Sequence, residues 1–346
     1  MEYRTLGATG VQVSAQCLGA MMFGAMGNTD HDDCIRIIHR ALDAGINFID
    51  TADVYSAGES EKIVGAALAD RRDDVVLATK FFGVMGEDPN RRGGSRRWIM
   101  TEVENSLRRL GTDYIDLYQI HRYPDGTALD ETISALTDLQ RAGKIRYFGH
   151  SAFPADRIVE GQWIAEDRSL GRFRCEQCSY SLFSRRVEYN VLPTCARYGL
   201  GVITYSPLAG GWLSGRYRSA EDFGEDSRIV RLAKRWGGFD PEEELNQRRL
   251  RLSGAIQAVA DDAGLPMAHL AVAFTQEHPA VTSTIVGPRT MDQLEDLLAA
   301  AEVRLETDVL DALDEIAPPG TNVAPRDPSS EPAGMSATAR RRIQGT

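Results

Sequence analysis

An apolar run that ends in a carboxylate occupies the stretch Gly45-Ile46-Asn47-Phe48-Ile49-Asp50-Thr51-Ala52-Asp53-Val54-Tyr55-Ser56. The run 46–49 is short, partly β-branched and bounded by glycine and polar residues, which is typical of a buried strand. Asp50 then lies at the carboxyl end of that strand, and Tyr55 lies on the loop before a helical stretch. Asp50 as a turn cap and Tyr55 as a half-buried aromatic form the ordinary alternative for these two residues.

The same alternation of strand and helix recurs along the chain, after an opening segment (residues 3–13) that reads as a β-hairpin. Strand-like runs occur at eight places: 15–20, 46–49, 75–79, 115–120, 145–148, 173–177, 201–204 and 282–286. Helical stretches follow them at 32–44, 59–69, 97–110, 131–141, 155–166, 187–198, 245–263 and 291–300. Eight such units predict a closed (β/α)₈ TIM barrel, with the N-terminal hairpin covering its bottom.

An open doubly wound sheet is the rival fold. It is disfavoured because no Gly-x-Gly-x-x-Gly fingerprint follows the first strand-like runs. Two long loops, 81–95 and 209–244, are expected at the carboxyl ends of the strands. We expect one domain over residues 1–317 and a poorly ordered tail over 318–346, which is rich in Pro, Ser, Ala and Arg.

Composition limits the possible partners and locations. The 346 residues are 42% hydrophobic and 26% charged, as in globular proteins, and the net charge of −11 argues against general nucleic-acid binding. Neither a membrane span nor a secretory signal is visible, so we expect a cytoplasmic protein. The five cysteines favour reduced thiols, and Cys175 and Cys178, although spaced C-x-x-C, are interpreted as buried small residues rather than a metal or redox pair.

Polar groups follow consecutive strands in this scheme. Lys80 follows the third strand directly, and His121 follows the fourth. A lysine at the end of an apolar strand needs an anionic partner, and Asp50 is the obvious one. An ammonium near Tyr55 is expected to lower the pKa of that phenol, which makes Tyr55 a candidate general acid beside a substrate-orienting His121.

These residues carry a resemblance to the aldo-keto reductase superfamily, in the bacterial branch related to potassium-channel β subunits. The motifs are residues 45–52 with Tyr55 and Asp116-Leu117-Tyr118-Gln119-Ile120-His121. The resemblance implies a catalytic tetrad of Asp50, Tyr55, Lys80 and His121 and NADPH-dependent reduction of an aldehyde, ketone or keto-sugar. No metal is required.

The resemblance also implies a set of residues that bind NADPH, with NADH less favoured. These are Gly19, Met21, Asp50, Ser151, Gln177, Tyr205, Ser206, Pro207, Leu208, Gly210, Arg216, Gly287, Arg289, Gln293 and Asp296. Ser151 and Gln177 would bind the carboxamide, Tyr205 would stack on the nicotinamide, and Arg289 with Gln293 would hold the 2′-phosphate. Asp296-Leu297 replaces the Glu-Asn of relatives, and Ala152 and His150 also depart from the family pattern.

Substrate and partners are less well defined by the sequence. A small-molecule carbonyl compound is expected, and a homo-oligomer is compatible with the sequence. Arg91, Arg92, Arg96 and Arg97 either receive an anionic substrate or form a solvated loop and helix start. The alternative function is a cofactor-sensing regulatory module that acts through a protein partner, as potassium-channel β subunits do; the absence of a long segment before the hairpin favours the enzyme.

Overall fold

The chain folds into a closed barrel of parallel strands surrounded by helices. The structure is a computed structural model, and it describes residues 1–124, 126–224, 227, 229–230 and 238–323. The strands are β1 (Tyr3–Thr5), β2 (Gln12–Ser14), β3 (Gln16–Gly19), β4 (Phe48–Asp50), β5 (Val76–Phe81), β6 (Ile115–Ile120), β7 (Ile145–Ser151), β8 (Cys175–Ser179), β9 (Gly201–Tyr205) and β10 (Ser283–Val286). Strands β3 to β10 close the barrel in chain order, since β10 pairs with both β9 and β3. The predicted (β/α)₈ barrel is confirmed.

The helices pack around the outside of this barrel. Those in the described part of the chain are α1 (His31–Asp43), α2 (Glu59–Leu68), α3 (Arg96–Leu110), α4 (Leu129–Arg141), α5 (Ala155–Asp167), α6 (Val187–Tyr198), α7 (Glu244–Asp262), α8 (Met267–Glu277), α9 (Met291–Ala299) and α10 (Thr307–Ile316). Three of them begin at side-chain caps, because Asp30 accepts a hydrogen bond from the amide of Asp33, Ser95 from that of Trp98 and Thr290 from that of Gln293. None of the helices within the described ranges is both long and apolar enough to cross a membrane.

The hairpin β1–β2 closes the bottom of the barrel. Its Leu6 and Val13 pack on one cluster of inward-facing residues from the lower halves of the strands: Cys17, Phe48, Ala78, Leu117, Cys175 and Ile203. Side chains two positions apart on a strand share a face. The residues two positions further along each strand therefore also point into the barrel, and they form the next layer, at the carboxyl ends of the strands.

Two segments of the fold differ from or extend the predictions. Between the last two barrel strands the sequence predicts one helix, at 245–263, whereas the structure places both α7 and α8 there. At the C-terminus, Val323 donates a backbone hydrogen bond to Phe183, and Arg185 donates one to Thr321, so residues 318–323 lie against the segment before α6. The predicted poor order of the tail otherwise concerns residues 324–346, which lie outside the described residues.

Candidate active site

Four polar side chains stand one layer above the apolar base of the barrel. They follow inward-facing residues of that base by two positions and therefore point into the same interior: Asp50 after Phe48, Lys80 after Ala78, Gln119 after Leu117 and Gln177 after Cys175. Adjacent strands bring them into register, with Lys80 opposite Gln119. All four are buried. The fold thus concentrates polar groups at the carboxyl ends of the strands.

Lys80 and Asp50 form an ion pair at the centre of this layer. The Lys80 ammonium donates to a carboxylate oxygen of Asp50 and, at 2.8 Å, to the carbonyl of Thr51. The other Asp50 oxygen accepts from Nε2 of Gln177 at 2.8 Å and from Nε2 of Gln119 at 3.1 Å. Both charges are therefore hydrogen-bonded on several sides, which offsets the cost of their burial.

Tyr55 reaches this pair from a strained turn after β4. The turn Tyr55–Gly58 holds Ser56 and Ala57 in the left-handed region, at φ 49° and 54°, which is costly for residues with a Cβ atom. The Lys80 ammonium lies 3.4 Å from the Tyr55 hydroxyl oxygen. The ring of His121 meets the Tyr55 ring edge-on with centroids 5.7 Å apart. The predicted tetrad is thus brought together.

Burial governs the protonation states in the tetrad. Although burial acts to lower it, the Asp50 carboxylate holds the pKa of Lys80 above its ordinary value, so the ammonium persists. Burial, assisted by the Lys80 charge, places the pKa of His121 well below its usual range, so the imidazole is neutral. Burial raises the pKa of Tyr55, and the Lys80 charge opposes this shift without cancelling it. The expected lowering of the Tyr55 pKa is therefore wrong for this structure: the phenol stays protonated.

A large cavity opens above the tetrad. This central cavity has a volume of about 670 Å³ and is lined by Gly19, Met21, Met22, Met26, Asp50, Val54, Tyr55, His121, Arg122, Ser151, Gln177, Tyr205, Ser206, Pro207, Leu208, Gly210, Ile285, Val286, Gly287 and Leu297. Every residue predicted to contact the nicotinamide half of a cofactor is among them. Lys80 is not, because it lies beneath the cavity floor.

A second cavity adjoins the first at Met22, Leu208, Gly287 and Leu297. This outer cavity has a volume of about 170 Å³ and brings together the remaining predicted residues: Arg216, Arg289, Gln293 and Asp296. They come from the loop after β9, from the turn before α9 and from α9 itself, where the Gln293 side chain accepts a hydrogen bond from the backbone amide of Arg289 at 2.8 Å. Asp296 pairs with His269 at 2.8 Å, a partner that the sequence did not indicate.

Several residues that line the central cavity were not predicted from the sequence. Met22, Met26 and Val54 add apolar wall to the central cavity, and Arg122 adds a charge next to His121. Two of the unpredicted residues had a signal in the sequence. Arg122 is a basic residue directly after the predicted site residue His121, and Gln119, which bonds to Asp50, is a polar residue inside an apolar strand. Conversely, Arg91, Arg92, Arg96 and Arg97 are exposed and line neither cavity.

The outward-facing residues of β7 and β8 form a separate buried pair. His150 Nδ1 contacts a Glu176 carboxyl oxygen, and its ring stacks on Phe153. Burial lowers the pKa of His150 to about 3 and raises that of Glu176 well above its usual range, so both are neutral. His150 therefore packs outside the catalytic layer. Cys175 and Cys178 are free thiols, and three positions along a strand put their side chains on opposite faces.

Comparison with known proteins identifies the family. The sequence model of the "Aldo/keto reductase family" matches residues 16–318. The uncharacterised oxidoreductase YrpG of Bacillus subtilis (strain 168) is 39% identical over 92% of this chain and 96% of its own length. A probable voltage-gated potassium channel subunit beta of Oryza sativa subsp. japonica is 35% identical (91% and 96%), and the versiconal hemiacetal acetate reductase of Aspergillus parasiticus is 33% identical (91% and 96%). The chain therefore belongs to the aldo/keto reductase family of NAD(P)H-dependent carbonyl reductases.

Proposed function

We propose that this enzyme uses NADPH to reduce an aldehyde, ketone or keto-sugar to the alcohol, with Tyr55 as the general acid. The observation that carries the proposal is the meeting of Tyr55 and His121 at the floor of the central cavity, above the buried pair of Lys80 and Asp50. A protonated phenol next to an ammonium is suited to give its proton to an oxygen that gains negative charge.

The roles of the side chains follow from their protonation states. Bound NADPH supplies the hydride that the carbonyl carbon receives. Tyr55 donates its hydroxyl proton to the carbonyl oxygen, and the Lys80 ammonium at 3.4 Å stabilises the phenolate that remains. Asp50 keeps Lys80 charged and in place. Neutral His121 donates a ring N–H to the same carbonyl oxygen and fixes its orientation, so that charge develops against fixed donors.

The central cavity fits the nicotinamide end of the cofactor. The side-chain nitrogen of Gln177 is engaged by Asp50, which leaves Oε1 to accept a hydrogen bond from the carboxamide. The Ser151 hydroxyl donates to the Gln177 carbonyl and its oxygen can accept in turn. Tyr205 offers the stacking face. Gly19, Met21, Ser206, Pro207, Leu208 and Gly210 line the same cavity and would lie along the pyrophosphate of the bound cofactor.

The outer cavity supports a preference for NADPH over NADH. Arg289 and Arg216 supply cations, Gln293 supplies an amide, and the α9 N-terminus adds its dipole, a combination that suits the 2′-phosphate. Arg289→Met should weaken NADPH binding about 10- to 100-fold, the loss of a charge-assisted contact, and leave NADH binding unchanged. Titration of nicotinamide fluorescence measures both constants. An equal loss for both cofactors contradicts the assignment.

Tyr55→Phe tests the general acid. This variant should lose at least 10²-fold in kcat with a series of aldehydes while the Kd for NADPH, measured by fluorescence, changes less than twofold. Tyr189→Phe, at a tyrosine that is 82% exposed, is the matched control and should behave as wild type. Retention of turnover by Tyr55→Phe removes Tyr55 from the mechanism.

A second candidate is the regulatory module that acts through a protein partner. It is favoured by the rice relative named as a probable potassium channel subunit beta. Rapid NADPH oxidation with small carbonyl compounds supports the enzyme, whereas tight NADPH binding without turnover, together with co-purification of a membrane channel, supports the module. The cytoplasmic location and a homo-oligomeric state stay predictions; fractionation and light scattering test them.

A further inference from the structure

Arg122 places a positive charge in the wall of the central cavity. It follows His121 directly at the end of β6, is half-buried and lines the same cavity as Tyr55. Its Nη1 donates to the His121 carbonyl at 2.8 Å, and within the described part of the chain that carbonyl is the one hydrogen-bond partner of the guanidinium. Most of the donors on this side chain are therefore available to a ligand.

The carboxyl groups around the cavity do not neutralise this charge. Asp50 is committed to Lys80 and to two glutamine amides. Glu176 lies close enough for Arg122 to act on its pKa, but burial prevails and holds the pKa of that carboxyl well above its usual range, and the carboxyl contacts His150 instead. No carboxylate among the described residues forms an ion pair with Arg122. Within the described ranges, the cavity wall therefore carries a cation that is not paired with a carboxylate.

The arginines that the sequence suggested as a site for an anionic substrate do not line the central cavity. Arg91, Arg92 and Arg97 are exposed, and Arg96 forms an exposed ion pair with Asp138 at 2.5 Å. Apolar side chains of the same cavity wall include Met22, Met26 and Val54. A cation beside an apolar wall suits a ligand with an apolar middle and an anionic end.

We infer that the substrate carries a carboxylate, which Arg122 binds while the carbonyl group of the same molecule lies against Tyr55 and His121. This inference rests on the proposed reductase activity and names its substrate class. Arg122 is a specificity-determining residue: it holds one end of the substrate and leaves hydride and proton transfer to the tetrad. A planar guanidinium matches a carboxylate with two parallel hydrogen bonds, which a lysine cannot reproduce.

A matched pair of aldehydes tests the inference. 4-Carboxybenzaldehyde carries the anion, and methyl 4-formylbenzoate has the same ring and aldehyde without the charge. Wild type should prefer the carboxylate in kcat/KM. Arg122→Met should lose about 10- to 100-fold with the carboxylate, mainly through KM, and less than threefold with the ester. Arg122→Lys should fall between them, and Arg97→Met, at an exposed arginine outside the cavity, should match wild type.

Calorimetry with the product alcohols, 4-(hydroxymethyl)benzoate and its methyl ester, separates this inference from the proposed function. With NADP⁺ present, wild type should bind the carboxylate at least tenfold more tightly, and Arg122→Met should bind both equally. An equal loss for both aldehydes, or a wild type without preference in turnover and binding, overturns the inference even if reduction is rapid. If neither aldehyde is reduced but the binding preference depends on Arg122, the proposed reductase function fails and the anion site stands.

Discussion

Replacement of Lys80 by methionine tests how the ion pair at the base of the site contributes to stability. The Lys80 side chain is fully buried and that of its partner Asp50 is 4% exposed, so the variant leaves a carboxylate inside the barrel without its cation. Breaking a buried pair from one side costs about 3–5 kcal/mol. Asp50 keeps hydrogen bonds from Gln119 and Gln177, so we expect the lower end, about 3 kcal/mol.

Urea denaturation of a double-mutant cycle measures this term. Asp50→Asn should cost a similar amount, because it leaves the ammonium unpaired, and the double variant should lose at least about 2 kcal/mol less than the sum. Arg40→Met breaks an exposed pair with Glu295, whose side chains are 41% and 48% exposed, and should cost less than about 1 kcal/mol. Additive losses at Lys80 and Asp50, or a Lys80→Met variant as stable as the Arg40→Met control, would refute the reasoning.

Two further predictions concern backbone strain and pH. Ala57→Gly should raise the free energy of unfolding by about 1 kcal/mol in thermal and urea melts, because glycine accepts the left-handed φ of 54°, whereas Ala66→Gly inside α2 should lower it by a similar amount; the same sign for both would contradict the strain. Because the pKa of Glu176 is raised in the folded protein, this carboxyl loses its proton at a lower pH in the unfolded chain than in the folded one. The free energy of unfolding therefore falls as pH rises from the ordinary carboxyl pKa toward the raised value. Relative to wild type, Glu176→Gln should therefore gain at least about 1 kcal/mol between pH 5.5 and 7.5, and a difference that does not vary with pH would show that Glu176 is ionised in the folded protein.

The barrel was predictable because each strand–helix unit carries its own local signal. Short β-branched runs next to amphipathic stretches identify the units, and the right-handed crossover leaves few ways to arrange them. Helix α8 was missed for a physical reason: of the residues Met267–Gln276 all but His269 are buried, so the segment has almost no polar face to mark a helical period. Strand β7 runs three residues beyond its predicted end at Phe148, since Gly149 and His150 do not read as strand residues.

The site was predictable as far as each group's need for a partner could be inferred. Lys80 after an apolar strand required an anion, and Asp50 supplied it. The direction of the Tyr55 pKa shift was not accessible, because it depends on the balance between desolvation and the Lys80 charge, which only the three-dimensional burial decides. Arg122 was missed because its proposed role depends on its surroundings. Glu176 contacts His150 and forms no ion pair with Arg122, which sequence spacing does not reveal.

The hairpin that closes the base of the barrel has a practical consequence for handling the enzyme. Glu2 and Tyr3 are tied to the amino ends of the strands, through Ala15 and the carbonyl of Gly45, on the side opposite the catalytic cavity. An affinity tag, surface linker or fusion partner joined at Met1 therefore projects away from the substrate entrance. Immobilisation through this terminus orients every molecule with its cavity toward the solution.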